Sequence, residues 1–316
     1  GAGGVLMQSP AEFLSYAGYS AGWRTLRWMP ERAAYRTFSG LADQLWRAHG
    51  KGVKQLERNL ARVTGSSNQR TLRSLSREGM QSYFRYWCDV FRLPDWSRQR
   101  LVDTFVMENN HRLQEVLDAG TGAVVALPHA GNWDRAGAYM TVAMTPIVSV
   151  AENLSPERLT TKFLDFRREL GMDIIVFRKG EDVFGDLVTK IGQGKIVALL
   201  GDRDLTSRGV GVDFFGEPTR MPAGPAALAI ETGCPLMTAD LWVDGPIATA
   251  RISEALPVAR EGDRNARVRA TTQTMAERFA QGIAEHPTDW HMLQPLWLAD
   301  LDSSRLQASR YDTPGD

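Results

Sequence analysis

The sequence predicts an α/β fold, in which a mixed, largely parallel central sheet is flanked by helices and preceded by an N-terminal helical region. After Gly120 short apolar runs alternate with helical patterns, whereas residues 10–118 show helical spacing. Six apolar runs are strand candidates, at residues 123–128, 145–150, 173–177, 195–200, 235–243 and 247–252. The helix candidates are residues 132–143, 156–170, 181–192, 222–232 and 264–285.

The N-terminal region contains amphipathic helices. Val53, Leu56, Leu60 and Val63 recur at helical spacing, as expected for one buried face. The first helical segment, residues 10–29, combines aromatic side chains with arginines, which suits a helix in a membrane interface; a core helix with snorkelling arginines is the alternative. We expect one domain in four parts: a tag remnant or disordered start at 1–9, a helical membrane-facing region at 10–118, an α/β catalytic core at 119–300 and a tail at 301–316.

The charge is balanced overall but unevenly distributed. Residues 1–100 contain 16 Lys and Arg against 7 Asp and Glu, whereas residues 101–316 contain 21 against 30. A basic first third favours an anionic partner surface, either membrane or nucleic acid, with solvated helix faces as an equal alternative. Because no run of 18 apolar residues occurs, we expect no transmembrane helix, and no signal peptide is recognisable. Cys88 and Cys234 lie in apolar surroundings and are expected to be buried free thiols.

Candidate catalytic residues follow the first strand of the predicted core. His129 would lie at the carboxyl end of this strand, where ligand sites of parallel sheets are found, and Asp134 about one helical turn later. A carboxylate behind an imidazole sets the tautomer of the ring and raises the basicity of its outer nitrogen. We therefore predict that Asp134 orients His129 as a general base. A capping or core histidine is the alternative.

Charged residues also follow two later strands. Asp202, Arg203 and Asp204 come directly after an apolar strand, where unpaired charges are costly, so they should pair with each other or bind a polar acceptor. Glu152 follows another strand, and Arg167 on the next helix could pair with it at the edge of a cleft. Structural or surface ion pairs are the alternative in both places.

A long loop at residues 213–225, with the sequence DFFGEPTRMPAGP, precedes a helix of small residues. The N-terminus of such a helix can receive a phosphate or an oxyanion. Arg208 and Arg220 could add charge-assisted hydrogen bonds to a phosphate.

Several motifs are missing from the sequence. The pattern G-x-S-x-G occurs once, at residues 18–22, but inside the predicted helix at 10–29 and not on a strand-to-helix turn, so there is no nucleophile elbow and a serine acyl-enzyme is disfavoured. There is also no Walker A and no G-x-G-x-x-G after a strand. Metal-ligand spacing is also missing, so we expect no metal. Without a protein nucleophile, the base should activate an external one. That nucleophile is either water, in a hydrolase, or a substrate alcohol, in a transferase.

These residues together resemble the lipid A biosynthesis (lauroyl/myristoyl) acyltransferases, within the glycerolphosphate acyltransferase-like group. The resemblance covers most of residues 10–298. It includes the strand followed by H-x4-D, the acidic block at Asp202 and the Phe-Phe-Gly loop. Supporting stretches are residues 82–87, SYFRYW, and 286–294, HPTDWHMLQ. Asp-Arg-Asp replaces the commoner Asp-Gln-Asp or Asp-His-Asp, and the usual N-terminal membrane span is missing. In both respects the sequence resembles the actinobacterial branch of the family, whose members acylate phosphatidylinositol mannosides.

The resemblance implies a peripheral enzyme on the cytoplasmic face of the membrane. It would move a long acyl chain, typically palmitoyl, from acyl-CoA as co-substrate to a mannose hydroxyl, with no other cofactor and no nucleic acid. We expect backbone N–H groups near Gly131, or a nearby side chain, to hold the oxyanion, and the large-residue N-terminal helices to line the acyl groove. Another glycolipid or lysophospholipid acceptor, a hydrolase using water, and a non-catalytic lipid or nucleic-acid binding module are the alternatives.

Overall fold

The computed structural model of the 316-residue chain describes residues 28–152, 164–177, 182–204, 209–301 and 311, with only the backbone described at Glu152. The predicted start at 1–9, most of the helix at 10–29, the first part of the helix at 156–170, Arg208 and most of the tail lie outside these residues.

Helices form the first part of the described chain: α1 (Glu31–Ala48), α2 (Lys51–Thr64), α3 (Gln69–Arg92) and α4 (Arg98–Asp103). The predicted helical stripe of α2 is confirmed, because all four of its apolar residues, from Val53 to Val63, are buried. Asn68 caps α3 by accepting hydrogen bonds from two amides of the first turn.

The segment 10–118 was predicted to be helical throughout, and this is wrong at one point. Phe105–Glu108 forms strand β1, which pairs in parallel with β9 (Ile247–Ile252) at one edge of the sheet. Only four residues long, β1 alternates buried and exposed side chains, which is too short a pattern to separate from the neighbouring helices α4 and α5 (His111–Ala119) by periodicity.

The remaining core strands follow the predicted alternation. They are β2 (Ala123–Leu127), β3 (Val148–Glu152), β4 (Asp173–Phe177), β5 (Ile196–Leu200) and β8 (Leu236–Asp244). The seven-stranded sheet has the order β1-β9-β8-β2-β5-β3-β4, and of its neighbouring pairs only β8 and β9 run antiparallel. The predicted fold class, a mixed and largely parallel sheet flanked by helices, is confirmed.

Helices follow most of the core strands and flank the sheet. They are α6 (Trp133–Ala143) after β2, α7 (Val183–Gly192) before β5, α8 (Gly224–Thr232) before β8 and α9 (Arg264–Glu285) after β9; residues 164–169 are also helical. Within the described ranges, no helix is both long and apolar enough to cross a bilayer. Cys88 and Cys234 are buried free thiols, as predicted.

The segment predicted to be a long loop is instead a hairpin. β6 (Val210–Phe214) pairs antiparallel with β7 (Glu217–Met221), and Phe214 lies opposite Glu217. The two turn residues, Phe215 and Gly216, both have positive φ, at 55° and 79°. This is the condition for a tight two-residue hairpin turn. Sequence reasoning missed it because phenylalanine rarely adopts this left-handed conformation.

The register of β2 and β5 positions the candidate site. Leu127 pairs with Leu200, and the Gly201 amide donates to the Leu127 carbonyl at 2.9 Å, one residue beyond the strand. His129 and Asp202 are each two residues past this pair, so adjacent parallel strands deliver both to the same carboxyl edge.

Candidate active site

His129 and Asp202 form a hydrogen-bonded dyad at the carboxyl edge of the sheet. The Nδ1–H group of His129 donates to Asp202 Oδ1 at 2.6 Å, and the backbone N–H of His129 donates to Oδ2 at 3.0 Å. The His129 side chain is 25% exposed, whereas Asp202 is fully buried. Since Nδ1 carries the proton, the lone pair of Nε2 is the basic one. The arrangement suits a general base that is accessible on one side and oriented from behind.

Trp290 completes the surroundings of the Asp202 carboxylate. Its indole N–H donates to Oδ2 at 2.9 Å, so Asp202 accepts three hydrogen bonds from the described part of the chain. Burial by itself raises the pKa of Asp202, but the interactions with His129 and Trp290 more than offset it and lower the pKa below its usual value. Asp202 is therefore ionised at neutral pH, as a partner that stabilises an imidazolium must be.

The expected pairing of Asp134 with His129 is wrong. Asp134, only 2% exposed, instead accepts hydrogen bonds from Tyr86 Oη at 2.8 Å and from Arg167 Nε at 2.8 Å. The charge of Asp134 raises the pKa of Arg167. The physical reason is that Tyr86 of α3 and Arg167 hold the Asp134 carboxylate, while the parallel pairing of β2 with β5 brings Asp202 to the imidazole. Asp134 therefore ties α6 to α3 and to the helix that contains Arg167.

The segment 289–291 makes backbone hydrogen bonds with the loop at residues 129–131. The Gly131 amide donates to the Asp289 carbonyl at 2.9 Å, and the His291 amide donates to the His129 carbonyl at 2.7 Å. Gly131 has φ +55°, and a Cβ there would lie 2.7 Å from the carbonyl carbon of Leu241. Only glycine allows this turn to pack so closely against β8. The oxyanion was expected to be held by backbone N–H groups near Gly131 or by a nearby side chain. The N–H of Gly131 itself already donates to the Asp289 carbonyl, so the rest of this expectation stays a prediction.

A second buried network lies under the start of α6. The Asn132 side chain caps the helix by accepting from the Arg135 amide at 3.0 Å. Asp89 accepts from the Asn132 side-chain amide at 3.1 Å and from the Arg135 guanidinium at 3.3 Å, and Tyr35 of α1 also donates to it. Asp89 and Arg135 are both almost fully buried. The network joins α1 and α3 to the loop that carries His129.

An apolar cavity lies beside the dyad, between α6 and the sheet. Trp133 borders it, and the Trp133 ring also meets the His129 ring edge-on, with centroids 5.7 Å apart. Asp134, Arg167 and Ser149 are the polar residues of its wall. The other wall residues, apart from Gly137, are apolar and come chiefly from β2, β3, β5, β8, β9 and α6. Among the described residues, none from the aromatic N-terminal helices, which were expected to line an acyl groove, belongs to the wall of this cavity.

His291 lies among aromatic rings close to the dyad. It contacts Tyr83 and Tyr86, at centroid distances of 5.5 and 5.7 Å. Its Nε2 is 2.9 Å from Ser82 Oγ, which in turn donates to Asp289 Oδ1 at 2.5 Å. Burial lowers the pKa of His291 to about 3, so the ring is neutral at physiological pH. Because the Ser82 hydroxyl proton goes to Asp289, Ser82 accepts the Nε2–H of His291.

The structure brings together only some of the predicted substrate-binding residues. Asp202 and Arg167 lie at the site, Asp202 as the partner of His129 and Arg167 as the partner of Asp134. Asp204 is buried and accepts the Gly209 amide at 2.7 Å, and Arg203 beside it is half-buried. Arg220 lies on β7 of the hairpin.

Two of these predictions stay untested by geometry. Glu152 ends β3 at the expected edge, but its side chain, like the whole of Arg208, lies outside the described residues. The expected Glu152–Arg167 pair is not needed to balance Arg167, because Asp134 supplies a carboxylate at 2.8 Å.

Sequence reasoning missed three functional contacts: Asp202 as the partner of His129, Trp290 as the donor to Asp202, and Tyr86 as the donor to Asp134. One signal was available for the first. His129 and Asp202 each stand two residues after an apolar run of five, which is the equal offset that adjacent parallel strands would align. The contacts of Trp290 and Tyr86 depend on packing between residues far apart in the chain, and no local sequence pattern indicates them.

Comparison with known proteins identifies the family of the chain. A family model described as bacterial lipid A biosynthesis acyltransferase matches residues 5–299. A Mycolicibacterium smegmatis protein named phosphatidylinositol mannoside acyltransferase is 44% identical over 289 residues, which cover 91% of this chain and 93% of that protein. A Mycobacterium tuberculosis protein of the same name is 45% identical over 291 residues, which cover 91% and 90%. The resemblance inferred from the motifs is confirmed: the chain is an acyltransferase and belongs to the bacterial lipid A biosynthesis acyltransferase family.

Proposed function

We propose that this acyltransferase moves a long acyl chain, typically palmitoyl, from acyl-CoA to a mannose hydroxyl of a phosphatidylinositol mannoside. The observation that carries the proposal is the His129–Asp202 dyad, with an accessible imidazole held by a buried carboxylate beside an apolar cavity. The names of the mycobacterial relatives support the choice of acceptor. The cavity supports the choice of an acyl group, because its wall is almost entirely apolar.

In the proposed reaction, Nε2 of His129 removes the proton of the mannose hydroxyl while the hydroxyl oxygen attacks the thioester carbonyl carbon. The resulting imidazolium is stabilised by ionised Asp202. The tetrahedral intermediate then collapses, the carbon–sulfur bond breaks, and His129 returns the proton to the departing CoA thiolate. The products are the acylated mannoside and free CoA, and no covalent acyl-enzyme forms.

The oxyanion of this intermediate needs a donor, and we assign it to Trp133. The indole Nε1–H of Trp133 is buried and has no hydrogen-bond partner among the described residues. Leaving a buried donor unpaired costs about 1–3 kcal/mol, which a substrate oxygen would recover. The Trp133 ring contacts His129 and borders the cavity, so one side chain adjoins both the base and the acyl chain.

Helix α1 supports a membrane location for the acceptor. Trp28 just before it is 90% exposed, and Leu41 and Leu45, one turn apart on α1, are each 42% exposed. The exposed arginines Arg32 and Arg36 lie on the same helix. Each basic residue near an anionic bilayer contributes about 1 kcal/mol. We propose peripheral binding at the cytoplasmic face, and we expect Leu41→Ser with Leu45→Ser to weaken cosedimentation with anionic vesicles.

The test of the function is product analysis with palmitoyl-CoA and a phosphatidylinositol mannoside. We expect the wild-type protein to form acylated mannoside and CoA in equal amounts, and His129→Ala to form neither while keeping its fold and its binding of palmitoyl-CoA. His111→Ala, which changes an exposed histidine on α5, is the matched control and should retain activity. Full-rate release of free palmitate without an acceptor would instead identify a hydrolase, and turnover by His129→Ala would refute the mechanism.

A further inference from the structure

The apolar cavity is too small for the acyl chain that the proposed function requires. Its volume is about 90 Å³, whereas an apolar cavity of roughly 150 Å³ accommodates a ligand the size of benzene. A palmitoyl chain has far more carbon atoms than benzene, so side chains in the wall must move when the chain enters. Three methionines, Met107, Met140 and Met172, belong to this wall. Methionine is the apolar side chain best suited to such movement, because it is unbranched and has three rotatable bonds.

Met172 differs from the other two in its position. It directly precedes β4, and its neighbour Ile147 directly precedes β3, so both lie at the amino edge of the sheet. His129 lies at the opposite, carboxyl edge. A chain whose thioester is at His129 and whose methyl end points along the strands therefore approaches Met172 and Ile147 last.

The tip of Met172 fills a gap on α6 that exists because residue 137 is glycine. A Cβ placed on Gly137 would lie 2.6 Å from Cε and 2.7 Å from Sδ of Met172, and 3.3 Å from Cδ1 of Ile147. Gly137 is four residues below Trp133, which is about 6 Å along the helix. The thioether thus closes the cavity roughly one helical turn below the ring that contacts His129.

We propose that the Met172 side chain, packed against Gly137, is the adjustable floor of the acyl site and determines which chain lengths are transferred. The inference rests on the proposed function. A long acyl chain would displace the Met172 thioether from Gly137. The space that the displaced side chain still occupies would then limit the length of the acyl chain. Met172 does not touch the reacting atoms, so changing it should alter chain-length preference while the chemical step is unchanged.

The test is a comparison of kcat/KM across saturated acyl-CoA donors, from dodecanoyl to eicosanoyl, with one mannoside acceptor. Met172→Ala removes three heavy atoms and should move the optimum to chains about two carbons longer. Each further buried methylene contributes about 0.8 kcal/mol, or roughly fourfold. The ratio of kcat/KM for the longer donor to that for the wild-type optimum should therefore rise roughly 15-fold relative to wild type.

Gly137→Ala provides a second variant with the opposite effect. Its new methyl group must push the thioether further into the cavity, so the optimum should move to shorter chains, and alanine is the better helix former. Met80→Ala is the matched control, because Met80 is an equally buried methionine on α3 outside the cavity wall. Its chain-length profile should be that of wild type.

Wild-type profiles in both Met172→Ala and Gly137→Ala, with turnover retained, would overturn the inference and leave the proposed function intact. A wild-type protein that transfers no acyl group from any donor to the mannoside would refute the proposed function itself.

Discussion

Replacing Asp202 by asparagine should slow catalysis strongly by reversing the tautomer of His129. Asp202 Oδ2 accepts two N–H groups, from Trp290 and the His129 backbone, whereas Oδ1 accepts only the Nδ1–H of the ring. The asparagine carbonyl will therefore take the place of Oδ2, and its NH₂ group will face Nδ1. An NH₂ donor requires a lone pair on Nδ1, which moves the proton to Nε2 and leaves the outer nitrogen unable to accept the proton of the acceptor.

The expected magnitude follows from what a general base contributes. We expect kcat to fall by roughly 10²–10⁴, and the same tautomer error in a Ser-His-Asp triad costs about 10⁴. KM for acyl-CoA should change little, because Asp202 is fully buried and does not reach the cavity. Stability should fall by about 1.5–3 kcal/mol, the value of hydrogen bonds to a charged group.

The assay is steady-state transfer of palmitoyl from its CoA thioester to mannoside, with the folded fraction of each variant measured by circular dichroism. Asp300→Asn is the matched control, since Asp300 is another carboxylate held by hydrogen bonds, from Arg62 and Gln55, on the periphery. It should retain near wild-type kcat. An Asp202→Asn variant that keeps more than about a tenth of wild-type kcat would contradict the proposed role of Asp202 in setting the tautomer of His129.

Three further predictions follow from the site. Asp134→Asn should lower the free energy of unfolding by about 3–5 kcal/mol, because it removes the counterion of Arg167; a loss of kcat as large as that of Asp202→Asn, with unchanged unfolding in urea, would restore the original pairing with His129. Trp133→Phe keeps the ring but removes the buried Nε1–H, so kcat should fall roughly 10–10³-fold at similar KM; an unchanged kcat would exclude Trp133 as the oxyanion donor. His291 has a folded pKa of about 3 against 6.5 for an ordinary histidine, so its contribution to stability is complete above pH 6.5 and is lost as pH falls toward 3. Between pH 7 and 5 wild type should therefore lose about 2 kcal/mol more than His291→Asn in urea titrations, and equal losses would show that His291 titrates normally.

Much of the core could be predicted from the sequence because its strands are continuous apolar runs. Strands buried on both faces read this way, and all six predicted core strands are present within about three residues of their expected bounds. The strands that the sequence did not predict are short or are joined by an unusual turn. β1 has four residues, and the β6–β7 hairpin turns through Phe215 in a conformation that phenylalanine seldom adopts. Periodicity carries too little information in such segments.

The position of His129 could also be predicted, but the carboxylate that pairs with it could not. His129 follows an apolar strand, and this local pattern was enough to place it at the carboxyl edge of the sheet. Asp134 was assigned as its partner because the two are close in sequence. Proximity in sequence favours Asp134, whereas proximity in space favours Asp202, which is 73 residues away but on the neighbouring strand.

The sequence by itself determined the fold class, the edge of the sheet that carries the site and the family, because these depend on local apolar runs and on motifs that are contiguous in the chain. The tertiary structure alone decided which carboxylate holds His129, which carbonyl accepts the Gly131 N–H, and which side chains close the apolar cavity. These depend on strand order and on the close packing of α6 and residues 289–291 against the sheet. Such contacts join residues far apart in the chain, and no local pattern records them.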